Sequence, residues 1–321
     1  MCTGITYKNG EFYFGRTLDL EYSFGEQVVI TPRNYSLSFT EEKTQNTHYG
    51  MIGMANAREG YPLYAEAVNE KGLCMAGLNF PGNAYYQKSQ KGKNNVASFE
   101  IIPWVLGKCA NIQEVKEKLK EINITDTAFS TSMQPVPLHW MIADKEGCLV
   151  LEATKKGVQI YENPFGVLTN NPPFEYHRSN VCNYLNLTSA YPQNHFTKEV
   201  DILPYSQGMG SIGLPGDMSS ASRFIRAAFM KFNSKCDKKE AADVAQVFHI
   251  LDNVSMVRGT VITEDGKYDF TRYSCCMNPK RGCYYYKTYE NSHIQVVKMD
   301  EKNLDSSCLL FYDISTSCFP L

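Results

Sequence analysis

The sequence predicts an α+β domain in which helices cover antiparallel β meanders. Short β-prone runs joined by tight turns stand at the start, in the middle and near the end of the chain. Paired helical segments separate these runs, and there are no internal repeats, low-complexity segments or linkers. We therefore expect residues 1–321 to form one domain.

The first predicted element is a β-hairpin at the amino terminus. The stretch ITYKNGEFYFGRTLDL consists of two β-prone runs around Asn9-Gly10, a dipeptide typical of two-residue type I′ turns. Counting outward from that turn places Arg16 within about one residue of facing Cys2. The hairpin is thus expected to return Arg16 to the chain start.

Helical and strand periodicity predicts the remaining elements. Asn111 and Glu114 form a capping box at the start of one helix. The predicted helices are 98–109, 112–122, 219–232 and 240–251, and the predicted strands lie in 138–154, 157–169, 268–277, 282–290 and 293–299. The least periodic stretch, 188–208, is expected to be a long excursion of the kind used in function or assembly.

Charge and hydropathy exclude several classes of partner. The chain has 32 basic and 34 acidic residues and a formal charge of -2, so no electrostatic footprint for nucleic acid is visible. There is no apolar run near 18 residues and no secretory signal pattern, so membrane insertion is not expected. These features predict a soluble, cytoplasmic protein whose partner is a small molecule or another copy of itself.

No pattern in the chain predicts a metal or cofactor. The eleven cysteines are scattered, and Cys275, Cys276 and Cys283 lack the spacing of a structural zinc site, so most cysteines are expected to be buried. The six histidines are widely separated and are expected to be satisfied or at the surface. The segment 208–213, GMGSIG, satisfies a dinucleotide-binding pattern, but Leu-Pro-Gly-Asp follows it, which indicates a turn.

Cys2 is the candidate nucleophile. Removal of Met1 would leave a thiol and a free α-amine on the same residue, and roughly 10% of such an amine is neutral at pH 7 and able to accept a proton. Arg16 could stabilise a thiolate, and Asp19 could orient the ammonium group. Taken alone, Cys2 is best interpreted as an accident of the second codon, and Arg16 and Asp19 as an ordinary surface ion pair. The three residues together favour an active site.

The chain resembles a known family, the choloylglycine hydrolases, which comprise bile salt hydrolases and penicillin V acylases and belong to the N-terminal nucleophile hydrolases. The matching blocks occur in the family's order over nearly the whole chain. They are MCTGITY, FGRTLDLEYSFGE, NEKGLCMAGLNFPG, LHWMIAD, GVLTNNP, GLPGDMSSASRFIRAAF and TYEN. The resemblance implies a four-layer αββα sandwich of two antiparallel sheets between helical layers.

The resemblance also implies roles for individual residues. The nucleophile would be Cys2, the arginine beside its thiol Arg16, the aspartate that orients its amine Asp19, and the second arginine Arg223. The oxyanion-hole asparagines would be Asn79 and Asn170. The implied reaction is hydrolysis of glycine- or taurine-conjugated bile acids through an acyl thioester, without a cofactor.

Finer properties follow from the same resemblance. Asn79 favours a bile salt hydrolase, because penicillin V acylases tend to carry tyrosine there, whereas 206–208 departs from the known patterns for glycine or taurine preference. Thr17 and Cys74 are smaller departures. A homotetramer is implied, with 188–208 contributing to assembly. Candidate steroid contacts, for which ordinary core packing is the alternative, are Leu20, Tyr22, Phe24, Phe129 and Met133.

Two other functions remain open from the sequence. The first is hydrolysis of penicillin V or another N-acyl amide at the same site. The second, from a different class, is non-catalytic binding of amphipathic ligands, with Cys2 incidental.

Overall fold

The computed structural model describes residues 1–314, which include sixteen β-strands and six α-helices. The strands are β1 (Cys2–Asn9), β2 (Glu11–Leu20), β3 (Gln27–Thr31), β4 (Met51–Arg58), β5 (Tyr61–Asn69), β6 (Cys74–Asn79), β7 (Asn94–Ala97), β8 (Ile122–Thr125), β9 (Leu138–Ala143), β10 (Cys148–Thr154), β11 (Gly157–Glu162), β12 (Val167–Leu168), β13 (Phe270–Asn278), β14 (Cys283–Thr288), β15 (Gln295–Lys298) and β16 (Leu310–Asp313). The helices are α1 (Ile101–Lys108), α2 (Ile112–Leu119), α3 (Phe174–Asn180), α4 (Ser220–Asn233), α5 (Glu240–Asp252) and α6 (Glu301–Leu304).

Two antiparallel sheets form the centre of the fold. The six-stranded sheet has the order β12-β1-β2-β13-β14-β15, and the eight-stranded sheet has the order β11-β10-β9-β6-β5-β4-β3-β16. Helices α4 and α5 contact β1, β2, β12 and β13, whereas α1 contacts β5 and β6. The predicted αββα sandwich is confirmed.

Alternation along the strands separates two apolar cores. In β6, Cys74, Ala76 and Leu78 belong to the core that also contains the six-stranded sheet. Met75, between them, packs in the other core with the buried faces of α1 and α2. This period of two is the expected consequence of a strand with both faces buried. The layer between the sheets is therefore closely packed around the start of β1.

The register of the amino-terminal hairpin differs from the prediction. Asn9 pairs with Glu11, and the turn pivots on Gly10 alone, at φ 89°, instead of having Asn9-Gly10 as its two central residues. Gly4 therefore faces Arg16, so Arg16 lies two residues from facing Cys2, not one. A shift of one residue exchanges the faces of a strand. In the observed register, Cys2 and Arg16 share one face of the sheet.

The other local predictions are largely confirmed. Helix α2 begins after Asn111, whose side chain accepts a hydrogen bond from the backbone of Glu114 at 3.0 Å. The segment 208–213 contains only a 3₁₀ turn, as its composition indicated. Within residues 1–314, no helix has the length and apolar character needed to cross a membrane. The buried cysteines include Cys74, Cys109, Cys148, Cys275, Cys276 and Cys283, whereas Cys182 and Cys308 are exposed; Cys318 lies outside the described residues.

Gly15 allows α5 to lie close against the six-stranded sheet. A Cβ atom at this position would be 2.7 Å from the carbonyl oxygen of Cys275 and 2.8 Å from Cγ1 of Val247. Neither distance is compatible with a real Cβ, and the first involves backbone. Gly15 is thus required by close packing in the strand that carries Arg16 and Asp19.

We predict that Gly15→Ala lowers the free energy of unfolding by about 1–3 kcal/mol, because the added methyl group overpacks the layer between β2 and α5. The matched control is Gly147→Ala, where the nearest atom to the new Cβ is 3.7 Å away. Urea unfolding of both variants measures the difference. Equal midpoints for the two variants would contradict the packing argument.

Candidate active site

Cys2 lies at the start of β1 and is buried, with 5% of its surface exposed. Its backbone N–H donates to Oδ1 of Asn170 at 2.9 Å. Its backbone carbonyl accepts a hydrogen bond from Nη1 of Arg223 at 2.6 Å. Two side chains from distant parts of the chain therefore hold both backbone polar groups of the candidate nucleophile.

Asn170 connects three of the predicted site residues. It follows β12, which pairs with β1, so the sheet brings it beside the chain start. Besides Cys2, its Oδ1 accepts from Nη2 of Arg223 at 2.7 Å, and its Nδ2 donates to the backbone carbonyl of Asn79 at 2.7 Å. Ser220 fixes its backbone, since the N–H of Asn170 donates to Oγ of Ser220 at 2.8 Å.

Arg223 is a buried link and not a cation on the helix surface. It lies in the first turn of α4 and is fully buried. In addition to Cys2 and Asn170, it donates to Oγ1 of Thr3 at 2.7 Å and to the carbonyl of Met218 at 3.0 Å. Burial lowers the pKa of Arg223, although nearby Asp19 and the Cys2 thiolate favour its charged form.

Arg16 is held between the two sheets. Its Nη1 donates to the carbonyls of Gly77 at 2.8 Å and Ala65 at 3.2 Å, and to Oε2 of Glu66 at 3.2 Å. Its Nε donates to the carbonyl of Thr17 at 3.2 Å. Burial alone would lower the pKa of Arg16, but attraction to the Cys2 thiolate and then to Glu66 raises it. The geometry excludes an ordinary surface ion pair.

Asp19 lies on the opposite face of β2 from Arg16, three residues along the strand. Its Oδ1 accepts from Oγ1 of Thr271 at 2.6 Å, and its Oδ2 accepts from Oγ1 of Thr17 at 3.3 Å. Burial raises the pKa of Asp19, while the Met1 ammonium and Arg223 oppose that increase. Asp19 is therefore a buried carboxyl group close to the chain's α-amine.

Met1 precedes β1, and its backbone is hydrogen-bonded to that of Asp19. The α-amine of Met1 donates to the carbonyl of Asp19 at 2.6 Å and to Oδ2 of Asp269 at 2.9 Å. Burial by itself would lower the pKa of this amine, but the Cys2 thiolate, Asp19 and Asp269 raise it. Sequence reasoning missed Asp269, because only the pairing of β13 with β2 brings it there.

The predicted steroid-contact residues come from two segments of the chain. Leu20 and Phe24 are half-buried against the core that contains Cys2, and Tyr22 is exposed. The ring of Phe129 packs edge-on against Phe99 at 5.3 Å. Met133 lies in the turn closed by its pairing with Ser130. Their contact with a steroid stays a prediction.

The family follows from this arrangement together with a match over almost the whole chain. The profile of the linear amide C–N hydrolases, choloylglycine hydrolase family, matches residues 2–312. The chain belongs to the choloylglycine hydrolase family. The match begins at Cys2, whose backbone is hydrogen-bonded to Asn170 and Arg223.

Similar proteins of known sequence or structure agree with this assignment and with the fold. The chain is 48% identical over 314 residues to the "Bile salt hydrolase/transferase" of Lactiplantibacillus plantarum, covering 98% of this chain and 97% of the relative. A crystallised variant of the conjugated bile acid hydrolase from Clostridium perfringens shares 38% identity and a TM-score of 0.93, covering 100% of this chain and 99% of that one. The penicillin V acylase of Agrobacterium tumefaciens, at 20% identity, a TM-score of 0.77 and coverages of 97% and 91%, shares the fold.

Two buried histidines in this choloylglycine hydrolase hold the segment that carries Asn170. Nε2 of His139 binds the carbonyl of Thr169 at 2.9 Å, and Nε2 of His177 binds the carbonyl of Asn170 at 2.9 Å. The ring of His177 stacks on Phe224 at 5.0 Å. Burial lowers the pKa of His177 to about 4. The sequence predicted that the histidines would be satisfied but did not predict this link to the site.

We predict that His177 makes the fold sensitive to acid. Because the pKa of His177 is lower in the folded chain than in the unfolded chain, the stability it contributes is present above pH 6.5 and is lost as the pH falls toward 4. The free energy of unfolding should fall by on the order of 2 kcal/mol more in the wild type than in His177→Gln between pH 7 and 4.5. Urea unfolding at both pH values measures this difference, and parallel losses in the two proteins would contradict the prediction.

Proposed function

We propose that this enzyme hydrolyses the amide bond of glycine- or taurine-conjugated bile acids, with Cys2 as its N-terminal nucleophile. The observation that carries the proposal is the hydrogen bonding of Cys2: Asn170 accepts from its nitrogen and Arg223 donates to its carbonyl, and Arg16 lies on the same face of the sheet. The 48% identity to a bile salt hydrolase/transferase supports the choice of substrate.

Processing is the first requirement of the proposed mechanism. With Met1 in place, the nitrogen of Cys2 is an amide and cannot act as a base. Hydrolysis of the Met1-Cys2 peptide bond leaves an α-amine at the position where Asn170 Oδ1 accepts the hydrogen bond. We expect Asp19 and Asp269, which attract the Met1 ammonium in this structure, to orient the new one.

Acyl transfer then proceeds in two steps. The sulfur of Cys2 bonds to the substrate carbonyl carbon as the thiol proton passes to the α-amine; the C–N bond breaks, and the amine returns the proton to the departing glycine or taurine. Water next attacks the acyl thioester, the C–S bond breaks, and the bile acid leaves as Cys2 regains its proton. No external oxidant or reductant is required.

The roles of Asn79 and Asn170 are also part of the proposal. Oδ1 of Asn170 is occupied by Cys2 and Arg223, so Asn170 positions the nucleophile as well as serving as an oxyanion donor. One hydrogen of its Nδ2 binds the carbonyl of Asn79, and the other is available to a substrate oxyanion. Asn79 lies at the end of β6, beside this contact.

We predict that the protein with Met1 removed hydrolyses taurocholate and glycocholate at least about 10-fold faster than penicillin V. Cys2→Ser should lose about a thousandfold or more of that turnover, because the hydroxyl is a weaker nucleophile. Release of taurine, glycine or 6-aminopenicillanic acid measures turnover, and intact mass reports the removal of Met1.

The controls separate the alternative functions. Faster hydrolysis of penicillin V than of either conjugate would favour an acylase. Wild-type turnover by Cys2→Ser, or by a protein that retains Met1, would contradict the mechanism. Binding of bile salts without turnover by the processed protein would favour the non-catalytic binder.

We further propose that the chain forms a homotetramer in the cytoplasm. The irregular segment 188–208 exposes large apolar side chains, including Phe196 (89%), Tyr205 (82%) and Leu203 (78%). Several large apolar side chains exposed in one segment favour an interaction site. Unpaired thiols such as Cys2, at the proposed active site, are favoured by a reducing compartment.

We predict a solution mass about four times that of the 36.4 kDa chain. The double variant Phe196→Ser with Leu203→Ser should shift the protein to smaller species, because it removes apolar surface that assembly would bury. Sedimentation velocity measures the mass. Phe232→Ser, which changes an exposed phenylalanine at the end of α4, is the control; a monomeric wild type would contradict the proposal.

A further inference from the structure

A buried carboxylate stands behind Arg16. Glu66 is fully buried and ion-paired with Nη1 of Arg16. The hydroxyl of Tyr284 donates to Oε1 at 2.6 Å, and that of Tyr273 contacts Oε2 at 2.9 Å. The thiol of Cys275 lies 3.6 Å from Oε1. Both carboxylate oxygens are therefore occupied by protein donors, as a buried charge requires.

Irregular pairing in the eight-stranded sheet places this carboxylate. The pairing of β4 with β5 shifts between Met54 and Ala55, which leaves Ala65 outside the regular ladder. On the other side, β5 and β6 pair only as far as Glu66 and Ala76. The carbonyls of Ala65 and Gly77, which would continue that ladder, bind Arg16 instead. The sheet opens locally to accept the guanidinium.

The donor atoms of the Arg16 guanidinium differ in their hydrogen bonding. Nη1 and Nε make all the protein hydrogen bonds described above, whereas Nη2 is buried and has no acceptor among residues 1–314. Cys2 lies on the same face of the sheet and attracts this guanidinium when it is a thiolate, and Glu66 forms an ion pair with it. Arg16 thus interacts with Glu66 and with the Cys2 thiolate of the proposed reaction; burial raises the pKa of Glu66, while Arg16, Tyr284 and Tyr273 oppose that increase.

We propose that Glu66, held by Tyr273 and Tyr284, is a positioning residue that fixes Arg16 and offsets part of its charge, and so limits how strongly Arg16 stabilises the Cys2 thiolate. This inference rests on the proposed function, since it takes Cys2 as the nucleophile. A lone buried guanidinium would be costly, and the carboxylate compensates its charge. Without that compensation, Arg16 would also stabilise the Cys2 thiolate more strongly, and a more strongly stabilised thiolate is a weaker nucleophile.

Other charges near Cys2 lie on the opposite side of the sheet. The groups that face Cys2 or its backbone from the helix side are Asp19, Arg223, Asp269 and the α-amine. Between the sheets, the titratable or charged groups around Arg16 are Glu66, Tyr273, Tyr284 and Cys275. A change at Glu66 therefore alters the field on Cys2 through Arg16 while the helix side keeps its composition.

The test is the pH dependence of alkylation at Cys2 by iodoacetamide, resolved by mass spectrometry of the amino-terminal peptide. Glu66→Gln keeps the shape of the side chain and removes its charge. The pH at half-maximal alkylation is expected to fall by about half a unit or more relative to the wild type, because Arg16 then acts on the thiolate uncompensated. An unchanged or higher midpoint in the folded variant would overturn the inference.

A second pair of variants keeps the test informative if Glu66→Gln does not fold. Tyr284→Phe removes a hydrogen-bond donor that favours the charged form of Glu66, so Glu66 should compensate Arg16 less and the alkylation midpoint should fall. Tyr285→Phe is the matched control: it lies on the same strand, faces away from Glu66, and loses a comparable 2.7 Å hydrogen bond to Glu240. Identical midpoints in these two variants would overturn the inference.

The alkylation assay needs no substrate, so two kinds of failure are distinguishable. Absence of bile salt hydrolysis with the expected shifts would reject the proposed substrate and retain the role of Glu66. Normal hydrolysis without the shifts would retain the function and reject the role of Glu66.

Discussion

The hydrogen bonds to the backbone of Cys2 are the contacts on which the site depends. A first residue in an edge strand would fray, because half of its polar groups would face water. Here β1 lies between β12 and β2, and Asn170 and Arg223 complete the bonding of Cys2. The nucleophile therefore has a fixed backbone even though it stands at the start of the chain.

In this arrangement, the two faces of the six-stranded sheet have different roles. Toward the helices, Thr3 accepts a hydrogen bond from Arg223, Thr17 donates to Asp19, and Asp19 attracts the α-amine. Toward the second sheet, Cys2 meets Arg16, whose charge is balanced by Glu66. The thiol and the amine of one residue thereby experience separate electrostatic surroundings, which a residue exposed on a flexible terminus would not have.

Burying each of these ionisable groups alone would cost free energy. The cost is offset because the groups are paired with one another. Arg16, Glu66, Arg223 and Asp19 are all buried, and each has a charged or hydrogen-bonding partner within the fold. Removing one partner from such a network leaves an uncompensated charge. Close packing around the strand that carries Arg16 and Asp19 is exemplified by Gly15, where a Cβ atom would have no room.

The local patterns of the sequence determined the elements and the candidate nucleophile. The capping box at Asn111, the helices α4 and α5 and the Asn9-Gly10 hairpin depend on neighbours within a few residues, so they could be predicted from periodicity and turn chemistry. The resemblance to a family supplied the layer order and the residues Asn79, Asn170 and Arg223. Only the tertiary structure decided the register that puts Cys2 and Arg16 on one face, and the contacts of Asp269, Glu66 and His177 with the site. Those contacts join residues 7 to 268 positions apart through sheet pairing and packing, and no local pattern encodes which side chains such pairing brings together.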